Sequence, residues 1–336
     1  MKPSKRTSPP QNGVAIVGPG RLGQALGRLL AQAKVPVLFV AARRASKARR
    51  AARFIGSGRP LAVGPSAAAL TQASVVLLTT SDGAVAPVAK DIGGLAENWA
   101  GRVVLHTSGS LPSSVLLPLK RRGASVGSLH PFQTVPSASA GVRSLIGCYW
   151  GVEGDAQARK AASRFVRLLG GIEFPVRPER KTLYHAAAFL ACPTIVTLME
   201  RSRLLLQKSG VPARVARPML AKFVAETARN FADLGARRAL TGPAVRGDWK
   251  TIQRHLTALR RSSPQTVPVY RALLREMLRL AGRQRPPRRI SVGRVSRQPP
   301  ISSSFGPESV APRHAGAAQG PSRKGRSRIS KYGRKT

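Results

Sequence analysis

The 336 residues are enough for about two domains and a sizeable core, and 57 Lys and Arg against 13 Asp and Glu leave a net charge of +44. Two cysteines, Cys148 and Cys192, exclude a disulfide framework and offer no metal spacing. No stretch reaches the roughly 18 apolar residues of a membrane span and the N-terminus lacks the apolar run of a signal peptide, so a soluble, cytoplasmic protein without a membrane partner is expected.

In chain order, residues 1–12 read as a disordered lead-in. Residues 14–17 form an apolar, β-branched strand that stops at Gly18-Pro19-Gly20-Arg21-Leu22-Gly23. An amphipathic helix pattern follows at once, through Leu22, Ala25, Leu26, Leu29, Leu30 and Ala33. This is the strand–turn–helix context that a dinucleotide fingerprint requires. The first glycine permits the tight turn, the second lets backbone approach a pyrophosphate, and the third lets helix and strand pack closely. The helix N-terminus offers free N–H donors to phosphate. Gly18, Gly20, Arg21, Leu22 and Gly23 are the candidate nucleotide residues; an empty Rossmann turn is the alternative.

Residues 35–41 read as the second strand. About 20 residues past the glycines an NAD site places an Asp or Glu for the ribose hydroxyls. Here Ala41, Ala42, Arg43 and Arg44 stand, and the first carboxylate of the chain is Asp82. Two guanidiniums suit a 2′-phosphate, so Arg43 and Arg44 favour NADP(H) over NAD, unless they are only a solvated helix start.

A basic helix over 43–55 and a short strand at 61–63 come next, then a continuous buried strand over 75–80. The end of that strand, Thr79, Thr80 and Ser81, is expected beside the fingerprint, where such folds bind ligands. Residues 103–106 form a strand opening into Thr107-Ser108-Gly109-Ser110, and Ser110 is expected to cap a helix over 112–122. A strand over 124–129 ends in His130-Pro131-Phe132-Gln133. Strands at 148–152 and 172–176, around a helix over 155–169, complete an α/β domain. Beyond Arg177 the pattern is helix only, over 183–206 with a kink at Pro193, then 213–234, 248–259 and 267–280. The stretch 283–336 is rich in Arg, Ser, Pro and Gly and has too little apolar surface to order itself. The expected architecture is a Rossmann-type, doubly wound, mostly parallel sheet over 13–177, an all-helical domain over 178–282, and a disordered basic tail.

Several motifs in this order resemble a known family. They are the fingerprint, His106-Thr107-Ser108-Gly109-Ser110, His130-Pro131-Phe132-Gln133, Tyr184-His185-Ala186-Ala187-Ala188, and Ala239-Leu240-Thr241-Gly242-Pro243 with Arg246-Gly247-Asp248 and His255. The chain resembles proteins that pair a Rossmann-like domain with the helical domain of unknown function 2520, a group similar to pyrroline-5-carboxylate reductase and the 6-phosphogluconate dehydrogenase-like enzymes. The resemblance covers 13–280. It implies NADP-type cofactor use and a homodimer built through the helical domain, and brings no agreed substrate. Ser108 and His130 then fall at strand ends facing the nicotinamide. Lys181 and His185, four apart on one helix face, resemble the Lys and Asn of β-hydroxyacid dehydrogenases. The family's Ser-Asn late in this helix is replaced by Cys192-Pro193, which removes a polar contact.

A dehydrogenase needs a proton donor or acceptor beside the carbon that exchanges hydride. His185 suits that part, with a merely hydrogen-bonded helix histidine as the alternative. Lys181 suits it when desolvated, or else pairs with Glu179. Ser108 is a substrate anchor or a turn hydroxyl satisfying its own loop. His130 is a candidate substrate contact. In the helical half, Thr241, Arg246 and Asp248 lie in a loop fixed by Gly and Pro, where Arg246 can clamp a carboxylate or phosphate and Asp248 can cap the next helix. No metal site is expected. The basic tail offers at most nonspecific contact with nucleic acid. The reading is an NADP-dependent oxidoreductase acting on an imine or carbonyl group of a small, anionic substrate; a nucleotide-binding sensor that turns nothing over is the alternative.

Overall fold

The computed structural model describes residues 11–283. The expected lead-in over 1–10 and the tail from 284 onward, with its nucleic-acid contact, lie outside the described residues. The α/β part runs β1 (Gln11–Val17), α1 (Arg21–Gln32), β2 (Val37–Ala42), α2 (Ala45–Ile55), β3 (Arg59–Ala62), β4 (Ala73–Leu78), α3 (Asp82–Gly93), β5 (Val103–His106), α4 (Leu117–Lys120), β6 (Ser125–Pro131), α5 (Ala138–Ser144), β7 (Tyr149–Gly154), α6 (Ala156–Leu168) and β8 (Ile172–Pro175). Helices follow: α7 (Lys181–Ala191), α8 (Pro193–Lys208), α9 (Ala213–Ala239), α10 (Pro243–Arg246), α11 (Trp249–Ser262) and α12 (Val267–Leu280).

The eight strands form one sheet in the order β3-β2-β1-β4-β5-β6-β7-β8. All neighbours are parallel except β6 and β7, which run antiparallel. Alternate residues of each strand feed the two faces. Val14 and Ile16 pack with Leu26, Leu30 and Phe165, whereas Ala15 and Val17 pack on the other face with Val85, Ile92 and Trp99. With helices burying both faces, the strands read as continuous apolar runs.

Two local expectations change. The helix expected over 112–122 is a 3₁₀ turn, Ser113–Leu116, followed by the single turn of α4. Pro118 lacks the N–H that a longer helix needs, and the Ser110 hydroxyl caps nothing because it bonds Asp82. Helices α3, with Pro87 inside it, and α5 are not among the expected elements.

The chain divides into two compact units after Gly235. Gly235 adopts φ 71°, ψ 167° inside α9, a conformation no helix residue shares, and breaks that helix there. The first unit keeps α7 because Lys181 and Tyr184 bind it to the sheet. The second has its own small core of Ala244, Ile252, Leu256, Leu274 and Leu278. Within the first unit, Leu183, Phe189, Leu190, Val196, Phe223 and Phe231 are exposed. The run Pro178–Lys208 is long and apolar enough to cross a membrane by length and composition, with an 18-residue window of mean hydropathy 1.5.

Candidate active site

Parallel pairing of β1, β4, β5 and β6 brings their C-terminal ends to one sheet edge, and the fingerprint turn opens there. Gly18 takes φ +80°, and a Cβ on it would run into the Thr80 side chain. A Cβ on Gly23 would collide with the Thr79 hydroxyl. That hydroxyl donates to the Gly18 carbonyl at 2.9 Å, so Thr79 holds the turn against β4. At Gly20 a Cβ would meet nothing of the protein nearer than 3.9 Å. Glycine there serves an approach from outside, not internal packing. Gly20 also begins α1 without a side-chain cap, leaving first-turn N–H groups open. Leu22 packs on the core, while Arg21 is exposed and reaches the Pro136 carbonyl at 3.2 Å. At the end of β2, Arg43 and Arg44 are exposed, and neither guanidinium makes an ion pair or hydrogen bond among the described residues. Ser81 is exposed at the start of α3.

Along the same edge, β5, β6 and α7 gather a polar cluster. Lys181, 2% exposed, donates to the Ser128 hydroxyl and lies 3.4 Å from Glu153 Oε1. Glu153 also accepts from the Ser113 N–H at 2.8 Å and the Ser113 hydroxyl at 2.7 Å. Ser128 and Glu153 face each other across the antiparallel β6–β7 pair. Burial lowers the Lys181 ammonium pKa, and the Glu153 charge opposes that. One helical turn on, Tyr184 Oη and His130 Nδ1 are 2.7 Å apart. The Tyr184 ring stands edge-on to His130 and packs near Phe132 and Phe174. Gly151 makes room for it, since a Cβ there would sit 3.0 Å from the Tyr184 hydroxyl. Burial, then the Lys181 charge, then His185, push the His130 pKa down to about 4. Burial raises that of Tyr184. Both are therefore neutral near pH 7.

His185 is exposed, its ring 6.0 Å from that of His130. A Cβ on Gly109 would lie 2.7 Å from His130 Nε2 and 2.8 Å from His185 Cδ2, so the two rings meet over a bare stretch of backbone. His106 is completely buried, takes the Ser108 N–H on Nδ1 at 3.2 Å, and is pushed by burial and by Lys181 to a pKa of about 3. The Ser108 oxygen accepts from the N–H groups of Ser110 and Leu111, at 3.2 and 3.1 Å. The Ser110 hydroxyl donates to Asp82 at 2.5 Å.

Of the sequence candidates, the first unit thus brings together Ser108, His130, Lys181 and His185. It gives two of them fixed partners: Lys181 is sealed in an ion pair, and Ser108 holds its own turn. Thr241, Arg246 and Asp248 belong to the second unit. There Asp248 caps α11 by accepting the Thr251 N–H at 3.0 Å, a bond that lowers its carboxyl pKa, and Arg246 and Thr241 are exposed. Sequence reasoning missed Tyr184 as a site residue, and Glu153 and Ser128 altogether. A signal for Glu153 existed: an acid in the apolar strand Tyr-Trp-Gly-Val-Glu-Gly needs a cation.

Residues 2–131 match the Rossmann-like domain family, and residues 148–277 match the domain of unknown function DUF2520. The two matches follow one another along the chain, the Rossmann-like one first. No curated protein matches the sequence. Among solved structures, a candidate NADP oxidoreductase from Bacteroides fragilis aligns over 80% of this chain and 98% of its own, at 22% identity and a TM-score of 0.63. The protein TM1727 of Thermotoga maritima aligns over 80% and 98%, at 21% identity and a TM-score of 0.60. A reductive aminase from Aspergillus terreus, in complex with NADPH and ethyl-5-oxohexanoate, aligns over 80% and 94%, at 16% identity and a TM-score of 0.58. At these identities the likeness is one of fold.

Proposed function

We propose that the chain is an NADP(H)-dependent oxidoreductase that reduces a C=N or C=O group of a small substrate. The observation that carries this reading is the shared sheet edge. It holds a turn open at Gly20, two uncommitted guanidiniums at Arg43 and Arg44, and the His130, Tyr184 and His185 cluster. The nucleotide's pyrophosphate would lie on Gly20 and the first turn of α1, and its 2′-phosphate on Arg43 and Arg44. NADPH, when bound, supplies the hydride. The neighbours crystallised with NADPH, among them the reductive aminase, support this direction.

His185 is the proton donor to the reduced heteroatom, because it is the exposed member of the cluster and can refill from water. His130 contacts the substrate, Lys181 ties α7 to the sheet through Glu153, and Ser108 sets the β5 turn. An anionic substrate is the finer part of the reading and rests on the excess of Lys and Arg over Asp and Glu. The test is oxidation of NADPH with a panel of cyclic imines and keto acids, with calorimetric binding of NADPH as a separate readout. His185→Ala should lose about 10²–10⁴-fold in kcat while retaining NADPH affinity. Turnover of none of the panel, or retained activity in His185→Ala, would count against the assignment.

We also infer a homodimer through α7, α8 and α9. The exposed Leu190, Val196, Phe223 and Phe231 are too many large apolar groups for a water-facing surface. A bilayer suits them poorly: α7 is anchored to the sheet by Lys181 and Tyr184. The run Pro178–Lys208 has the length for a span, but Lys181 near its start is paired with Glu153 of the sheet, and Glu200, Arg201 and Arg203 lie toward its end. Light scattering at micromolar concentration should give twice the chain mass. The unpaired Cys148 and Cys192 fit a reducing, cytoplasmic setting.

A further inference from the structure

We propose that Tyr184 is a positioning residue that fixes His130 in the Nε2–H tautomer, so that this N–H, over Gly109, donates to the heteroatom of the substrate's C=N or C=O bond. The inference deepens the reductase reading and rests on it for the word substrate.

It starts from the geometry around one hydrogen bond. Tyr184 Oη and His130 Nδ1 are 2.7 Å apart, and either could carry the shared proton. If Nδ1 donated, the tyrosine's own O–H would need a second acceptor. Among the described residues the Tyr184 hydroxyl makes no other hydrogen bond: Phe132 and Phe174 pack near its ring, and the Cys148 thiol, a poor acceptor, is the other titratable group that acts on it. A half-buried hydroxyl without an acceptor is costly, so the favoured arrangement has Tyr184 donating and Nδ1 accepting. Neutral His130 then keeps its proton on Nε2. That nitrogen has no protein partner among the described residues, and it sits where a side chain at position 109 would otherwise stand. Gly109 is thus the bare backbone that the imidazole edge overhangs, with His185 beside it.

Burial, which keeps both Tyr184 and His130 neutral, supports this arrangement. A neutral imidazole donates one directed hydrogen bond and brings no charge. It would polarise the heteroatom as electron density grows there, while His185 delivers the proton. The aromatic packing of Tyr184 explains why a tyrosine is used here: the ring fills the slot left by Gly151, so the hydroxyl has one place to be.

Long-range ¹H–¹⁵N spectra of the ring nitrogens in the full chain at pH 7 test the assignment without any substrate. His130 should show an unprotonated Nδ1 and a protonated Nε2. In Tyr184→Phe, with the melting temperature confirming a folded protein, the two tautomers should mix. Adding 2-piperidinone, a cyclic amide whose carbonyl accepts but is not reduced, should shift the Nε2–H resonance saturably. A protonated Nδ1, a tautomer unchanged in Tyr184→Phe, or an Nε2–H unmoved by the amide would each overturn the proposal. Failure to oxidise NADPH would overturn the reductase reading instead and would leave these spectra as they are.

Discussion

Lys181 and Glu153 close an ion pair of 3.4 Å between α7 and β7 with both side chains at 4% exposure or less. A buried pair of this kind contributes little net stability, but breaking it leaves a charge alone in a poor solvent. Glu153→Gln should therefore destabilise the first unit by about 3 kcal/mol, because it also weakens the bonds to Ser113. Lys181→Met combined with Glu153→Leu should lie closer to the unchanged protein than Glu153→Gln does. Urea unfolding of the three proteins checks this; equal stability of Glu153→Gln and the parent would show that the pair is not closed in solution.

The glycines of the fingerprint should separate by readout. Gly20→Ala has room in the protein, so the melting temperature should hold while NADPH affinity falls at least tenfold, the new methyl standing in the path of the pyrophosphate. Gly23→Ala pushes into the Thr79 hydroxyl and should cost about 1–3 kcal/mol of stability by overpacking. Calorimetry and thermal melts on the same two variants give both numbers.

Cofactor preference should follow Arg43 and Arg44. NADPH should bind more tightly than NADH, and replacing both arginines by alanine should narrow the gap by about 2–3 kcal/mol, as expected for lost charge-assisted bonds. Because neither guanidinium is committed to a protein partner, stability should stay within about 0.5 kcal/mol. Equal affinities of the parent for the two nucleotides would refute the NADP assignment.

Acid should loosen the first unit earlier than its carboxylates would. The pKa values of His106 and His130 lie at about 3 and about 4 in the fold, against 6.5 in the unfolded chain. Between those values the unfolded state binds more protons, so stability is complete above pH 6.5 and drains away as pH falls toward 4. At pH 5 the loss is about 2 kcal/mol for each histidine. Melting temperatures across pH 7.5 to 4.5 measure it, and a flat profile over that range would contradict the burial of both rings.

The nucleotide half of the site was legible in sequence because it is local. The turn from Gly18 to Gly23, the absent acid after β2 and the strand Val103–His106 each announce themselves within a few residues. So does the helix break at Cys192-Pro193. The other half depends on residues far apart in the chain. Glu153 meets Lys181 only because β7 reverses direction beside β6, and no periodicity in Tyr149–Gly154 marks that reversal. Tyr184 stood in a recognisable motif, yet its role depends on room left by Gly151 on another strand. The division after Gly235 is equally invisible in sequence, because the ties that keep α7 with the sheet are side-chain contacts.

Helix α7 climbs the sheet toward its C-terminal edge: Lys181 sits level with Ser128, Tyr184 a turn higher beside His130, and His185 over Gly109. Each residue of an α-helix advances about 1.5 Å and rotates about 100°. One residue inserted between Lys181 and Tyr184 would swing the tyrosine out of its slot and carry His185 around the helix while leaving the ion pair intact. One residue deleted would do the same in the opposite sense. The segment 181–185 therefore acts as a ruler whose length matters more than most of its letters. Thr182, exposed on the helix, is free to vary in kind but not to be lost or doubled.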